Sequence, residues 1–257
     1  MQRLIPLSAR IWHMELDVDT DRPNLGYIRG DRFSLMFDCG ASPAHVSAFL
    51  TLLQQHGLPR PAFAVLSHWH WDHAMGMAAL SSLQIPMIAS LRTNEILKEK
   101  AAWPWTEEAM QQRLQSGEEI LFCDHYLRGE YRGDLAAIPG FRTADILFEG
   151  ERTLDLGGVS CVLTEEGNPH SGDGVLVFVP EERFLFLADS AGKDLYGMPW
   201  TFDPDDIEAS DLAMEQTPYD PQRLAGYRLC LGSMDFTRCL KGHAPCCSRE
   251  ELFETLK

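Results

Sequence analysis

Three histidines and one aspartate lie within six consecutive positions of this sequence. Residues 68–73 read His-Trp-His-Trp-Asp-His, after an apolar run that ends at Leu66. A strand that ends in an irregular turn can direct several of these side chains into one cavity, because residues two apart on an extended backbone share a side. Neutral imidazoles and a carboxylate suit a borderline divalent metal such as zinc. The segment therefore predicts a metal site, and a polar turn with scattered histidines is the alternative.

The spacing within this motif allows two metal ions. His68 and His70 would hold the first ion, and Asp72 and His73 would hold the second. Zinc is the first choice for a histidine-rich ligand set, while iron and manganese stay open. Each ion needs further ligands from elsewhere in the chain.

Three later residues are candidates for these ligands. His170 lies in a loop between two predicted strands and would complete the first metal; otherwise it is a solvated loop histidine. Asp189 ends an apolar run, and burying its charge without a partner is costly. A bridge between two metals would satisfy this carboxylate, and a helix cap or salt bridge is the alternative. His243 follows the last predicted strand and would complete the second metal, unless it is an ordinary surface turn residue.

Together these candidates resemble the ligand pattern of the metallo-β-lactamase-fold hydrolase superfamily, in its binuclear HxHxDH type. In chain order they are His68, His70, Asp72, His73, His170, Asp189 and His243. The segment Asp38-Cys39-Gly40 also resembles an early Asp-x-Gly of that family. The resemblance implies an α+β fold, a four-layer αββα sandwich with the site in loops at one edge. It also implies that Asp38 steadies the histidine loop without binding metal; an ordinary turn cap is the alternative.

The hydrophobic pattern predicts the elements that would position these loops. Strands are expected at residues 11–18, 26–29, 33–37, 86–89, 146–148, 159–163, 175–179, 184–187 and 227–231. Helices are expected from Ser42-Pro43 to Gly57, at 93–101, at 106–115, after Asp203, and at the C-terminus from a capping box at Ser248. We expect one domain over residues 1–257, with residues 91–145 as a helical insertion or lid.

The composition limits the binding partners and the cellular location that we expect for this protein. The 257 residues are 45% hydrophobic and carry a formal net charge of −16. That charge disfavours nucleic acid, although a metal site would still admit a small anionic substrate. We see neither a signal peptide nor an apolar run long enough to span a membrane. The seven cysteines are scattered without a CxxC pair, which favours reduced thiols in a cytoplasmic protein. The oligomeric state, including a homodimer, stays open.

The resemblance implies a metal-dependent hydrolase that acts on a small ester, lactone or thioester. Two metals about 3.5–4 Å apart would share a hydroxide that attacks the substrate. Asp72 would orient this hydroxide while ligating, and Asp189 would fix the spacing of the metals. Tyr196 is a candidate hydrogen-bond donor to the developing oxyanion.

Three other functions fit the same ligands. They are a phosphodiesterase of the same fold, a mononuclear iron sulfur dioxygenase, and a non-catalytic metal-binding module in which Cys246 and Cys247 close a zinc site. Lys193 would bind a substrate carboxylate unless it is only solvated.

Five tryptophans could line an apolar substrate pocket, and packing in the core is the alternative for each of them. They are Trp69, Trp71, Trp103, Trp105 and Trp200.

Overall fold

The first sheet of the fold takes seven strands from the N-terminal part of the chain. The computed structural model describes residues 2–257. The strands are β1 (Leu4–Pro6), β2 (Ile11–Met14), β3 (Leu25–Arg29), β4 (Ser34–Phe37), β5 (Phe63–Val65), β6 (Met87–Ser90) and β7 (Ile146–Phe148). They lie side by side in chain order. Strands β1 to β4 pair antiparallel, and β4 to β7 pair parallel.

The second sheet has six strands from the C-terminal part of the chain. They are β8 (Glu151–Asp155), β9 (Ser160–Glu165), β10 (Val175–Val179), β11 (Phe184–Ala188), β12 (Arg238–Lys241) and β13 (Cys247–Ser248). Their order is β13-β12-β11-β10-β9-β8. Strand β11 pairs parallel with β12, and the other neighbours pair antiparallel.

Helices cover the outer faces of both sheets. They are α1 (Pro43–Gln55), α2 (Trp71–Ala74), α3 (Met77–Ser82), α4 (Leu91–Lys100), α5 (Glu107–Ser116), α6 (Leu121–Glu130), α7 (Ile207–Gln216), α8 (Pro221–Ser233) and α9 (Arg249–Thr255). Within residues 2–257, none of them combines the length and the apolar character needed to cross a membrane.

Three apolar clusters fill the spaces between these layers and hold them together. The cluster between the sheets includes Phe37 and Phe186, whose ring centroids are 5.2 Å apart. A second cluster joins the first sheet to the helices that follow it, and a third joins the second sheet to α8 and α9. Each fully buried leucine or phenylalanine contributes about 1.5–3 kcal/mol through burial. The predicted αββα sandwich is therefore confirmed.

Two of the predicted helix starts have the expected cap. The Ser42 hydroxyl accepts a hydrogen bond from the backbone of His45 at 3.0 Å, and Pro43 follows at the first helical position. At α9, Ser248 and Glu251 form a reciprocal capping box. Both caps satisfy amides that the first turn of a helix leaves without a partner.

The strand predicted at residues 227–231 was wrong. This segment belongs to α8, which Asp220 caps and Pro221 begins. The two buried apolar residues of this helix, Tyr227 and Leu231, are four apart and share one face, so a helical period explains them. The strand that leads to the final histidine loop is β12 instead. The predicted strand over residues 11–18 is also too long, because β2 ends at Met14.

Residues 91–145 connect two neighbouring parallel strands, β6 and β7. The segment contains α4, α5 and α6, and its buried residues Leu97, Met110 and Leu127 pack in the outer cluster of the first sheet. Helix α6 had no counterpart in the sequence pattern. The segment is helical, as expected, whereas its assignment as an insertion and its action as a lid stay predictions.

Candidate metal centre

The central motif is split between an extended segment and a short helix. Strand β5 ends at Val65, and α2 begins at Trp71. His70 precedes that helix with an extended backbone, φ −57° and ψ 150°. Asp72 lies in the first turn of α2, where the helix dipole favours a carboxylate. This change of backbone lets residues close in sequence face two adjacent positions.

The first ligand group contains three histidines, His68, His70 and His170, and all are buried. Their candidate ligand atoms lie within 4.8 Å of one another. Within this group, His70 Nδ1 lies 2.9 Å from His170 Nε2. Asn168 shapes the loop by accepting from the backbone of His170, and His170 Nδ1 donates to the Lys193 carbonyl at 2.7 Å. The third histidine thus reaches the motif with its Nε2 facing inward.

The second ligand group contains two carboxylates and two histidines, Asp72, His73, Asp189 and His243. His73 Nε2 lies 2.9 Å from Asp72 Oδ2 and 3.3 Å from Asp189 Oδ2. His243 Nε2 lies 3.1 Å and 3.3 Å from the same two oxygens. The structure therefore brings all seven candidate ligands together, with Asp189, the predicted bridge, in the second group.

Asp189 reaches the centre through an irregularity at the end of β11. The pairing of β11 with β12 shifts register between Phe186 and Ala188. Ala188 has φ +47°, an uncommon conformation for a residue with a side chain. Such bulges redirect the following side chain. The strain at Ala188 thus accompanies the placement of the carboxylate beside both histidines of the second group.

Asp38 connects the two halves of the motif. Its Oδ2 accepts from His73 Nδ1 at 2.7 Å, and its Oδ1 accepts from the backbone of Ser67 at 3.0 Å. The Ser67 hydroxyl in turn lies 2.9 Å from His68 Nδ1. These bonds fix the ring orientation of His68 and His73, as outer partners of metal ligands do. Asp38 therefore has the supporting position that the resemblance implied.

The loop that carries His243 is held by Asn24, a residue that the sequence analysis missed. The Asn24 side-chain amide donates to the carbonyls of Lys241, Gly242 and Ala244 at 2.8–3.0 Å. His13 Nδ1 lies 2.9 Å from the Asn24 side-chain oxygen. No sequence signal marks this asparagine, because its partners in the His243 loop lie more than 200 residues away.

Gly242 permits the close approach of the loop to the centre. Its backbone amide donates to the Ala188 carbonyl at 2.7 Å. A side chain at this position would collide with Asp189 Oδ1 and press on the ring of His73. Glycine is therefore required here by space. The segment Lys241-Gly242-His243 indicated a turn in the sequence analysis. Only the tertiary structure shows that Gly242 lies against Asp189.

The electrostatics of the first group favour the neutral forms of His68 and His70. Burial lowers the pKa of His68 and of His70 well below the ordinary value of 6.5, and the neighbouring imidazoles lower it further. A neutral imidazole has a free lone pair, which is the form that binds metal. This group is thus prepared to ligate at neutral pH.

The second group is held together by opposite charges. Burial lowers the pKa of His73 and His243, but nearby carboxylates outweigh it and raise both well above 6.5. Burial raises the pKa of Asp72 and Asp189, but the charges and hydrogen bonds of the same histidines outweigh it and lower both below 3.8. Asp21, a second missed residue, lies 3.3 Å from His243 Nδ1, and burial raises its pKa to about 7.

Two buried polar atoms of the centre, His68 Nε2 and Asp189 Oδ1, have no hydrogen-bond partner. Buried polar atoms in proteins are nearly always paired. A cation in each group would satisfy the nitrogens of neutral histidines and the carboxylate oxygens together. The donor set of imidazoles and carboxylates therefore fits divalent metal ions.

Comparison with known proteins agrees with this geometry. The family model of the metallo-beta-lactamase superfamily matches residues 18–220. The chain belongs to the metallo-beta-lactamase superfamily. No curated protein matches the sequence. The family resemblance stated from the motif is thereby confirmed, and with it a metal-dependent hydrolase fold.

Solved structures share the fold over nearly the whole chain. A metallo-beta-lactamase from Pontibacter korlensis is 16% identical, with a TM-score of 0.66, and the alignment covers 100% of this chain and 97% of that one. TMB-1 is 15% identical, with a TM-score of 0.62 and coverages of 99% and 95%. The DIM-1 metallo-beta-lactamase is 16% identical, with the same TM-score and coverages. At this identity the likeness shows the fold alone.

In this superfamily member, residues of both ligand groups line one open cavity of about 390 Å³. From the centre it is lined by His70, Asp72, His170, Asp189 and His243. Its other walls are mainly apolar and come from three regions: the β2–β3 connection, α6, and the segment after Asp189. They include Leu16, Val18, Phe122, Tyr126, Leu195 and Met214. The cavity gives a substrate direct access to both ligand groups.

Two residues predicted to contact substrate have other partners. The Tyr196 hydroxyl donates to Glu119 Oε1 at 2.8 Å, and its ring packs on His70 with centroids 5.3 Å apart. The oxyanion role of Tyr196 stays a prediction. The Lys193 ammonium donates to the carbonyls of Met214 and Glu215, at 2.8 Å and 2.7 Å. Lys193 thus caps the end of α7.

Most of the tryptophans pack away from the cavity. Among residues 2–257, Trp71 is the tryptophan that lines it. Trp69, Trp103 and Trp105 cluster instead around Phe141, with centroids 6.0–6.2 Å apart. Trp69 also contacts Lys100, whose ammonium lies 3.8 Å from the ring centroid. This cluster connects the metal-binding loop to residues 91–145.

Proposed function

We propose that the chain is a binuclear metal-dependent hydrolase of a small ester, lactone or thioester. One observation carries this proposal: both ligand groups face the same open cavity. A closed structural metal site would leave no room for substrate beside the metals. The side chains of Asp189 and His243 keep 12% and 30% of their surface exposed, which supports a centre reached from the cavity.

Each group has a defined part in this function. His68, His70 and His170 would hold one metal, and Asp72, His73, Asp189 and His243 would hold the other. Bound divalent metals would supply Lewis-acid activation of water and of the scissile carbonyl. We propose zinc as the metal, because imidazole nitrogens dominate the donor set.

Asp189 is the residue best placed to set the spacing between the two metals. Its Oδ2 lies 3.3 Å from both His73 Nε2 and His243 Nε2, and 3.7 Å from His170 Nε2. One carboxylate therefore faces both ligand groups. Asp72 Oδ2 lies on the cavity side between His73 and His243, where it would orient water for attack.

The walls of the cavity favour an uncharged carbonyl substrate over a phosphodiester. Asp211 lines it beside the apolar side chains and would repel a phosphate, and Asp21 would add to this repulsion in its ionised form. Of its two lysines, Lys193 is hydrogen-bonded to the end of α7, which leaves Lys241 as the other cation. Tyr196 would have to leave Glu119 before its hydroxyl could donate to an oxyanion.

The test is metal content together with turnover on the same preparation. Elemental mass spectrometry on protein purified without added metal should give about two equivalents of zinc. The same sample should hydrolyse a lactone, ester or thioester in a panel that also contains a phosphodiester. His68→Ala should remove both activity and part of the metal, while His56→Ala, at an exposed histidine, should change neither.

Different results would support the other candidate functions. One equivalent of iron without hydrolysis would favour a sulfur dioxygenase, and turnover of the phosphodiester alone would favour a phosphodiesterase. Two tightly held metals with no turnover would favour a binding module. The described residues argue against its closure by thiolates, because neither ligand group includes Cys246 or Cys247.

We also propose a small-molecule partner, without nucleic acid, and a cytoplasmic location. The net charge of −16 and the seven unpaired cysteines support these two proposals. Fractionation of the source cells with an antibody to this chain would test the location. Sedimentation would test whether the chain forms a homodimer.

A further inference from the structure

Two cysteines face each other beside the loop that carries His243. Cys239 of β12 and Cys247 of β13 are directly paired across the two antiparallel strands. Their sulfur atoms are 3.5 Å apart. Directly paired positions have Cα atoms about 4.5–5.5 Å apart, which lies within the range that a disulfide spans. The backbone therefore already has the separation that a cross-link between these residues needs.

The adjacent Cys246 is not part of this pair. Cys239 and Cys247 pack in the cluster between the second sheet and its helices, whereas Cys246 packs against the core between the sheets. Successive residues of a strand point to opposite faces, which explains the separation. Cys246 Sγ instead lies 3.3 Å from Arg238 Nη2. A bond between the adjacent Cys246 and Cys247 is thus disfavoured by the fold.

We propose that Cys239 and Cys247 form a reversible disulfide that closes the His243 loop. The two thiols flank residues 240–246, and His243 is four residues from each. The cross-link would join the two ends of the segment that Asn24 and Ala188 already hold by hydrogen bonds. This modification site is independent of which bond the enzyme cleaves.

The two thiols differ in exposure and in pKa, and these differences indicate which thiol reacts first. Cys247 lies on the two-residue edge strand and is partly exposed, while Cys239 is fully buried. The hydrogen bond with Cys239 lowers the pKa of the Cys247 thiol to about 7, burial opposes this, and Lys241 assists it. The same contact and burial raise the pKa of Cys239. Cys247 is therefore the attacking thiol and Cys239 the resolving one.

Glutathione disulfide is an oxidant that balances the reaction. The Cys247 thiolate attacks one sulfur of this disulfide, so that the oxidant's S–S bond breaks and one glutathione thiolate leaves. Cys239 then loses its proton and attacks Cys247 Sγ, which breaks the mixed disulfide and releases the second glutathione thiolate. The protein loses two electrons and two protons. Both electrons and both protons are recovered in two molecules of reduced glutathione.

The test uses the full metal-loaded protein, incubated with glutathione disulfide and then digested without reduction. We expect the intact protein to lose two hydrogens and the digest to contain a peptide pair joined through Cys239 and Cys247. Oxidation should raise the Tm by about 5 °C, and dithiothreitol should reverse the shift. Chelator should remove the second metal more slowly from the oxidised form, since both ends of the His243 loop are then tied.

Cys247→Ser should abolish all these changes, and it alters a partly exposed residue, so the fold should persist. Cys246→Ser and Cys230→Ser should leave the cross-link intact, because their thiols lie elsewhere. A glutathione adduct on Cys247 that Cys239 never displaces would overturn the proposal. A disulfide between Cys246 and Cys247 would also overturn it. So would treatment with glutathione disulfide that leaves the mass and the Tm of the protein unchanged.

Discussion

The two ligand groups of this metal centre are stabilised in opposite ways before a metal binds. The first consists of buried imidazoles, and burial keeps the pKa values of His68 and His70 low. The second pairs two carboxylates with His73 and His243, whose pKa values are raised. A metal entering the first group meets free lone pairs. A metal entering the second must displace protons and replace existing ion pairs.

The comparison also extends to the scaffold. The first group depends on the segment after β5 and on the loop before β10. The second depends on the short helix α2, on a bulge at the end of β11 and on a turn after β12. Small backbone changes should therefore affect the second group more than the first.

Removal of a ligand should give the largest effect and distinguish the groups. We expect His70→Ala and Asp189→Asn each to lower turnover by at least about 100-fold, because each takes away a proposed metal ligand. His70→Ala should release the metal of the first group, while Asp189→Asn should weaken both, since Asp189 faces both. Metal counting on each variant would check this. Loss of a single metal in Asp189→Asn would contradict the assigned position between the groups.

Gly242→Ala should damage the second group selectively. The added methyl would collide with Asp189 Oδ1 and displace the loop of His243. We expect the free energy of unfolding to fall by about 1–3 kcal/mol and the second metal to be lost, while the first remains. Denaturant titration and metal analysis measure both quantities. Gly172→Ala is the matched control, since a Cβ there meets nothing within 4 Å.

Supporting hydrogen bonds should matter less than ligands, by about 10–100-fold in metal affinity. Asn24→Ala removes three bonds to the His243 loop and should weaken the second metal. Ser67→Ala removes the hydroxyl beside His68 Nδ1 and should weaken the first. Competition with a chromophoric chelator would resolve the two effects. Equal loss of both metals in both variants would mean that the groups do not bind independently.

The pH dependence of metal affinity should also differ between the two groups, and this is the smallest of the expected effects. In the metal-free protein the raised pKa values leave His73 and His243 protonated through neutral pH, whereas His68 and His70 are neutral above pH 6.5. Ligation needs neutral imidazole, so binding to the second group releases protons. Its affinity should rise with pH above 6.5 more steeply than that of the first group. Calorimetry in buffers of different ionisation enthalpy would count the protons, and equal release by both groups would contradict this.

The sequence by itself determined the candidate ligands and the broad architecture. The spacing of residues 68–73 predicted two pairs of candidate ligands on an extended segment and a following turn, and the structure places the second pair on the short helix α2. Local chemistry also identified the caps at Ser42 and Ser248, because a cap depends on residues within one helical turn. Resemblance to the family then implied the αββα layers.

The tertiary structure decided what depends on distant partners. The period of Tyr227 and Leu231 fitted a short strand as well as a helix, and the cap at Asp220 with packing on the second sheet selected the helix. Asn24 and Asp21 reach the loop that carries His243 across more than 200 residues, so the local sequence pattern gave no indication of these contacts. The hydroxyl of Tyr196 donates to Glu119, which lies just after the helix expected at residues 106–115 and was given no role in the sequence analysis.

The arrangement of the cysteines also depends on the tertiary structure. In the sequence Cys246 and Cys247 stand together, and Cys239 is one of several scattered thiols. Only the pairing of β12 with β13 reveals that Cys247 faces Cys239 and that Cys246 faces the other side of the sheet. Strand register decides this arrangement, because a shift of one residue exchanges the two faces. Register is fixed by the buried clusters on both sides, which no short segment of the sequence contains.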